Sequence, residues 1–306
     1  MMTTPASPRT NDRILVVGAT GLLGMEIVRL LCDAQKRVRA VVRDGSDPAK
    51  RAAIGKLPVE SVAADLKDPR SLEAACEGVN TVISTATAIM SRREGDSLRE
   101  VDELGQVALV GAARKAGVRH LVFLSFLPND LEYDFQRAKR RVEAELRASG
   151  ISFTVLQPAA FMEIWLSPAL GFDPVGGRAR ILGDGNEPVS WVSTHDVARF
   201  AVAASEGGLF AGKTVPLGGP DALSPLQVIN IFEGLGPTRI GLEYVPQEAL
   251  RAMLDGARNP VEQALAASML ATARGQVINP QPAQDLLPGR MVSVRDYASR
   301  LLGPSR

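Results

Sequence analysis

The chain has 306 residues, 45% of them apolar, with 35 basic against 34 acidic side chains. That is enough apolar matter for a sizeable core, and no net field exists to draw in a polyanion, so nucleic-acid binding is not expected. The two cysteines, Cys32 and Cys76, sit in apolar helical contexts without disulfide or zinc spacing, and no run approaches the ~20 apolar residues of a membrane span, so a cytoplasmic protein with neither metal nor membrane partner is expected.

Residues Met1 to Asp12 are polar, hold two prolines and lack the apolar stretch of a secretory signal, which predicts a flexible amino-terminus over residues 1–12. From Arg13 onward, short β-branched runs alternate with amphipathic segments at helical spacing: RILVVG, RVRAVVR, VESVAAD, NTVISTA, HLVFLSF and ISFTVLQ are the strands. Parallel strands joined by crossover helices follow from that alternation, and the fold class is α/β: a doubly wound parallel sheet, or Rossmann domain, over residues 13–157. After Pro158 the character changes to glycine- and proline-rich turns with short elements, which predicts a smaller substrate-binding lobe over residues 158–306, some of it packing back on the sheet.

VVGATGLLG puts Gly18, Gly21 and Gly24 between the first strand and a helix, where missing side chains let the turn tighten and a diphosphate approach. With Ala19, Thr20, Leu22 and Leu23 this turn is the predicted dinucleotide cradle; a ligand-free strand-to-helix turn is the alternative. Arg43 ends the second strand, and its guanidinium suits the 2′-phosphate of NADP(H), while strand alternation turns Asp44 away. After the third strand, Asp65 beside Leu66 can accept from the adenine amine or cap a helix. Thr85 and Ala86 after the fourth strand are small enough to leave room for ribose and diphosphate, or are plain turn packing.

These pieces, with AADLKD, HLVFLSF, FQRAKRRVE, GISFTVLQPAAFME and WVSTHDVARFA, resemble the NmrA-like and isoflavone-reductase-like branch of atypical short-chain dehydrogenases and reductases. The resemblance implies a Rossmann domain with a carboxy-terminal substrate lobe, a preference for NADP, and either reductase activity or redox sensing without catalysis. Members commonly carry asparagine soon after the FM pair, where this chain reads Glu163 and Ile164.

Tyrosine-using relatives set Tyr-x-x-x-Lys one helical turn apart, and here Phe135 and Lys139 hold that spacing. Phenylalanine has no proton to give, and Tyr133 lies well round the helix from Lys139. Lys139 is left with ribose binding, direct acid or base action, or electrostatic stabilisation of an enolate; membership of a solvated basic face with Arg140 and Arg141 is the alternative. Ser125 ends the fifth strand, where its hydroxyl can polarise a substrate carbonyl or bond the next turn. Pro158 after the sixth strand is expected beneath the nicotinamide, and Phe161, Met162 and Trp165 at the mouth of an apolar substrate pocket. Glu163 is expected as an exposed helical carboxylate, Ser193 or Thr194 as a cap before His195 and Asp196, and His120 at the far edge of the sheet.

The expected function is an NADPH-dependent reductase of a small apolar carbonyl, enone, quinone or related aromatic compound. A noncatalytic NADP-binding redox sensor and a redox-neutral epimerase or isomerase stay open, as does the oligomeric state.

Overall fold

The computed structural model describes residues 12–91, 93–237 and 239–303, so the expected flexible segment lies outside the described residues except for Asp12. The first half alternates as the sequence predicts: β1 (Arg13–Val17), α1 (Leu22–Asp33), β2 (Arg37–Val41), α2 (Pro48–Gly55), β3 (Glu60–Val62), α3 (Pro69–Cys76) and β4 (Thr81–Ser84). A π-helical segment (Leu98–Gly105) then runs into α4 (Gln106–Lys115), followed by β5 (His120–Leu124), α5 (Asp134–Ala148) and β6 (Ser152–Pro158). Beyond β6 come α6 (Met162–Trp165), β7 (Phe172–Asp173), β8 (Arg178–Leu182), β9 (Val189–Ser190), α7 (Thr194–Ala204) and β10 (Lys213–Leu217). The chain ends through β11 (Ala222–Leu223), α8 (Pro225–Leu235), β12 (Gly241–Val245), α9 (Gln247–Asp255), α10 (Pro260–Ala273), α11 (Gln281–Leu286) and α12 (Val294–Leu302).

The central sheet has seven strands in the order β10-β6-β5-β4-β1-β2-β3, and each neighbouring pair is parallel, so the protein is a doubly wound Rossmann-like α/β fold. Helices cover both faces, which is why β1 and β5 read as nearly unbroken apolar runs rather than alternating ones. The seventh strand, β10, is one more than the six apolar runs predict. It comes from the second half of the chain and carries Pro216, which an edge strand tolerates because one row of its backbone groups has no ladder to join.

Two cores flank the sheet. Ile27, Leu31, Val197 and Phe200 of α1 and α7 pack on one face, while Leu72, Leu109, Val142 and Leu146 of α3, α4 and α5 pack on the other. Leu270 and Ala267 of α10 extend the second core over α5. A third core, with Phe172, Ile181, Trp191 and Phe232, is built from residues that follow β6. Among the described residues no helix is long and apolar enough to cross a membrane.

His120 opens β5 at the edge of the sheet away from the strands' carboxyl ends. It is buried, with its ring nitrogens 2.9 Å from Ser152 Oγ and 3.1 Å from Thr154 Oγ1. Burial pushes its imidazole below the usual 6.5, only partly opposed by a hydrogen bond with the Ala204 backbone. The unfolded chain therefore binds a proton more readily than the folded one. Stability from this residue is complete above about pH 6.5 and falls as pH drops below it, until the folded ring also protonates. Urea midpoints at several pH values between 7.5 and 5 should show a steeper acid loss for the native chain than for His120→Gln. Parallel curves would contradict the assignment.

Candidate active site

The strand order reverses between β1 and β4, so their connections leave in opposite directions and open a crevice at the carboxyl edge. Gly18 turns there with φ +90°, and a Cβ on it would lie 2.8 Å from both Ala86 N and Thr85 Oγ1. Gly24 is equally constrained, because its Cβ would come within 2.1 Å of the Gly18 carbonyl oxygen. The turn thus lies directly on Thr85 and Ala86, and the first turn of α1 lies directly on the turn. Ala19 and Leu23 are buried and anchor it, Thr20 is half-buried, and Leu22 is exposed. Gly21 is the exposed N-cap of α1 and makes no side-chain cap, so the backbone N–H groups of the first helical turn are left for an anion. That arrangement fits a dinucleotide diphosphate.

Arg43 follows β2 and stays partly open to solvent. Its Nη1 donates to Asp96 Oδ2 at 2.8 Å. Lys67 Nζ meets the other oxygen of the same carboxylate at 2.7 Å, and Ser91 Oγ donates at 2.6 Å. Burial opposes the charge on Asp96, yet Lys67, Ser91 and Arg43 hold its carboxyl well below the usual carboxylate range. Asp44 is exposed. The carboxylate of Asp65 accepts from Lys67 N at 3.0 Å and closes a local turn, while Asp68 caps α3. Leu66 is buried against Gly105, whose Cβ would meet the Leu66 Cβ at 2.7 Å.

Lys139 is not part of a solvated basic face. Its side chain is 5% exposed, and its Nζ sits 3.2 Å from Oδ1 of the fully buried Asp102. The ammonium lies between the rings of Phe123 and Phe135, 5.1 and 5.2 Å from their centroids, and donates at 3.5 Å to the Leu124 carbonyl. Asp102 is delivered by the π-helical segment, a winding that often marks functional positions, and its Oδ2 accepts from Ala88 N at 2.8 Å. One turn on, Gln106 accepts from Ser84 Oγ and donates to the Ala86 carbonyl. The sequence offered one sign of this segment, the S-x-x-E spacing of Ser97 and Glu100, where Ser97 Oγ accepts from Glu100 N.

Ser125 is buried, and its Oγ accepts from Arg140 Nη2 at 2.9 Å, which leaves its hydroxyl hydrogen and one lone pair for another partner. Arg140 is thereby a half-buried, partnered side chain rather than a free one; it also donates to the Phe126 carbonyl and pairs with Glu143 at 2.9 Å. Tyr133 is 1% exposed, packs on Phe126 and accepts from Asn129 Nδ2, and burial pushes its phenol up. It is closed off as a proton donor.

Pro158 ends β6 itself, with its carbonyl accepting from Leu127 N at 3.2 Å. The three expected pocket residues part company: Phe161 packs on the core under α1 and α7, Met162 is wholly buried in the third core, and Trp165 bridges two cores. Trp165 lines a small apolar cavity of about 40 Å³ that Phe161 and Met162 do not touch. One short segment enters three packing environments, so residue type alone did not reveal its directions. Glu163, expected to be exposed, is half-buried and accepts from both Thr194 N and Thr194 Oγ1 at 2.9 Å. Ser193 caps α7 through Asp196 N, and His195 Nδ1 pairs with Glu26 of α1 at 2.8 Å. A cleft of about 600 Å³ runs from Thr20 and Gly21 past Lys50 to Glu163 and His195.

Removing one partner of a buried ion pair strands the other, at a cost of about 3–5 kcal/mol. Asp102→Asn should therefore lower the unfolding free energy by roughly that amount, whereas Asp102→Leu combined with Lys139→Met should recover most of it. Chemical denaturation of the three proteins checks this; a double variant no better than the single would deny the pair its role.

Residues 10–296 match the NmrA-like family. A photosystem II assembly factor, Ycf39, from Synechocystis is 33% identical over 79% of this chain and 73% of its own length. An NAD(P)H azoreductase from Xenophilus azovorans is 33% identical over 70% of this chain and 71% of its own. Among solved structures, an NADPH-dependent quinone oxidoreductase from Escherichia coli, complexed with NADPH, aligns with a TM-score of 0.76 at 21% identity, over 95% of this chain and 100% of that one, a likeness of fold. The chain belongs to the NmrA-like family.

Proposed function

We propose that this chain is an NADPH-dependent reductase of small apolar carbonyl, enone, quinone or related aromatic compounds. The observation that carries the reading is the glycine cradle at the β1–β4 crevice with Arg43 at the neighbouring strand end. The azoreductase, named for NAD(P)H, and the quinone oxidoreductase, named for NADPH and a quinone acceptor, support it.

In this reading the Gly18–Gly24 turn holds the diphosphate and Arg43 the 2′-phosphate, with Thr85 and Ala86 as the floor between them. Asp65, Leu66 and Pro158 flank the adenine and nicotinamide ends. NADPH supplies the hydride. Lys139, fixed by Asp102 and two rings, provides a positive charge beneath the reacting end and favours negative charge developing on the acceptor. Ser125, its oxygen engaged by Arg140, presents its hydroxyl hydrogen to the acceptor. With Phe135 where a tyrosine would stand, and Tyr133 buried, the proton that completes the reduction comes from water. Phe161 and Trp165 contribute apolar surface, and Met162 supports them from the core.

A second reading, a noncatalytic NADP-binding regulator, draws on the seclusion of Lys139 and on the assembly-factor relative. NADPH oxidation measured with a panel of quinones, enones, carbonyls and azo dyes separates the two. Turnover with at least one acceptor class is expected, with kcat lower by roughly 100-fold or more in the paired Lys139→Met/Asp102→Leu variant. Tight NADPH binding without turnover across the panel would turn the reading to the regulator.

A further inference from the structure

Resting on the reading that Arg43 takes the 2′-phosphate, we infer that Lys67 is the second cation of a phosphomonoester site and that Asp96 is the strut aligning both cations. Arg43 comes from the end of β2 and Lys67 from the connection after β3, neighbouring strands whose carboxyl ends open on the same edge. Two side chains of like charge on adjacent strand ends repel unless something holds them together. Here one carboxylate does so, with Oδ2 on Arg43 at 2.8 Å and Oδ1 on Lys67 at 2.7 Å, while Ser91 fixes its orientation at 2.6 Å.

The exposures make this a site rather than a closed salt cluster. Asp96 is 1% exposed, whereas Arg43 and Lys67 are 34% and 26% exposed, so each cation shows water the donors that Asp96 does not use. Arg43 gives one of five N–H groups to Asp96, and Lys67 one of three. The cluster sums to a single positive charge, and Arg93 raises it: its Nη2 lies 3.5 Å from where a Cβ on Gly45 would be, at the turn just after Arg43. A phosphomonoester of about −2 charge suits that balance, and two cations offer it more donors than a ribose hydroxyl could use. Asp96 lies too deep to reach a ligand, so it positions and does not bind.

Titration calorimetry of the whole protein with adenosine 2′,5′-bisphosphate and with 5′-AMP isolates this end of the cofactor; NADPH and NADH repeat the comparison. Lys67→Met should weaken the bisphosphate by roughly tenfold or more while moving 5′-AMP by less than about twofold. Asp96→Asn should reduce the same preference, and Asp96→Glu should restore part of it, an effect that a merely structural residue would not show. If Asp96→Asn weakens both ligands equally, or tightens the bisphosphate because a competitor has been removed, the strut is refuted. Should Asp96→Asn fail to fold, the half-exposed Lys67→Met still decides: unchanged preference overturns the inference. Arg43→Met tells the two levels apart. If it leaves the preference intact, the cofactor reading itself fails; if it abolishes the preference while Lys67→Met does not, only the present inference fails.

Discussion

A lysine and an aspartate taken out of water together constrain the rest of the crevice. An ammonium buried between Phe123 and Phe135 is tolerable only with a counter-charge at contact distance, since desolvating one ion costs several kcal/mol. Asp102 supplies it, but only if the backbone at residue 102 faces α5, and the π-helical winding of residues 98–105 achieves that orientation. The other oxygen of Asp102 then fixes Ala88, and Gln106 fixes Ser84 and Ala86. The chain after β4 is thereby held where Thr85 and Ala86 meet Gly18 without room for a methyl group. A charge pair inside one wall sets the floor of the cradle in the other.

What the sequence revealed divides along the range of the interactions involved. The glycine turn, the strand–helix alternation and the cap at Ser193 are written in residues a few positions apart, and each is found where the pattern puts it. The seventh strand was hidden because KTVPL is short, carries a proline and pairs with β6 across more than fifty residues. Asp96 and Asp102 were hidden for a related reason. Nothing near either one in sequence tells that Arg43, Lys67 or Lys139 will arrive beside it. The basic run KRR was misleading in the same way: from the helix alone Arg140 could be solvated, and only the ends of β5 and β6 supply Ser125, Phe126 and, through Glu143, Gln157.

The exchange of tyrosine for phenylalanine at residue 135 also has a structural side. A phenol one turn before the lysine would bring a polar oxygen toward the ammonium; a benzene ring brings only its face. The ammonium must then find its main partner elsewhere, which makes Asp102 a requirement and not an ornament. Phe135 in turn stacks on Phe126, and Phe126 on Tyr133, so the aromatic row that lines Lys139 also closes Tyr133 from the crevice. The position that lost a proton donor and the tyrosine two residues earlier are shut by the same packing.

Both buried aspartates hang on one connection, the stretch between β4 and α4. Asp96 holds the cations at the β2–β3 end of the crevice, Asp102 holds the cation at the β5 end, and Glu103 reaches out of the same segment to Arg141 at 3.0 Å. Side chains from two strand ends and one helix are thus referenced to a single segment of backbone. Such an arrangement couples the two ends mechanically, because a shift of the segment that frees Arg43 and Lys67 also strains the Asp102 pair, which its burial makes costly to break. The adenosine end and the reacting end of the proposed NADPH site are therefore held in one fixed relation by charge, while the sheet beneath them supplies only the platform.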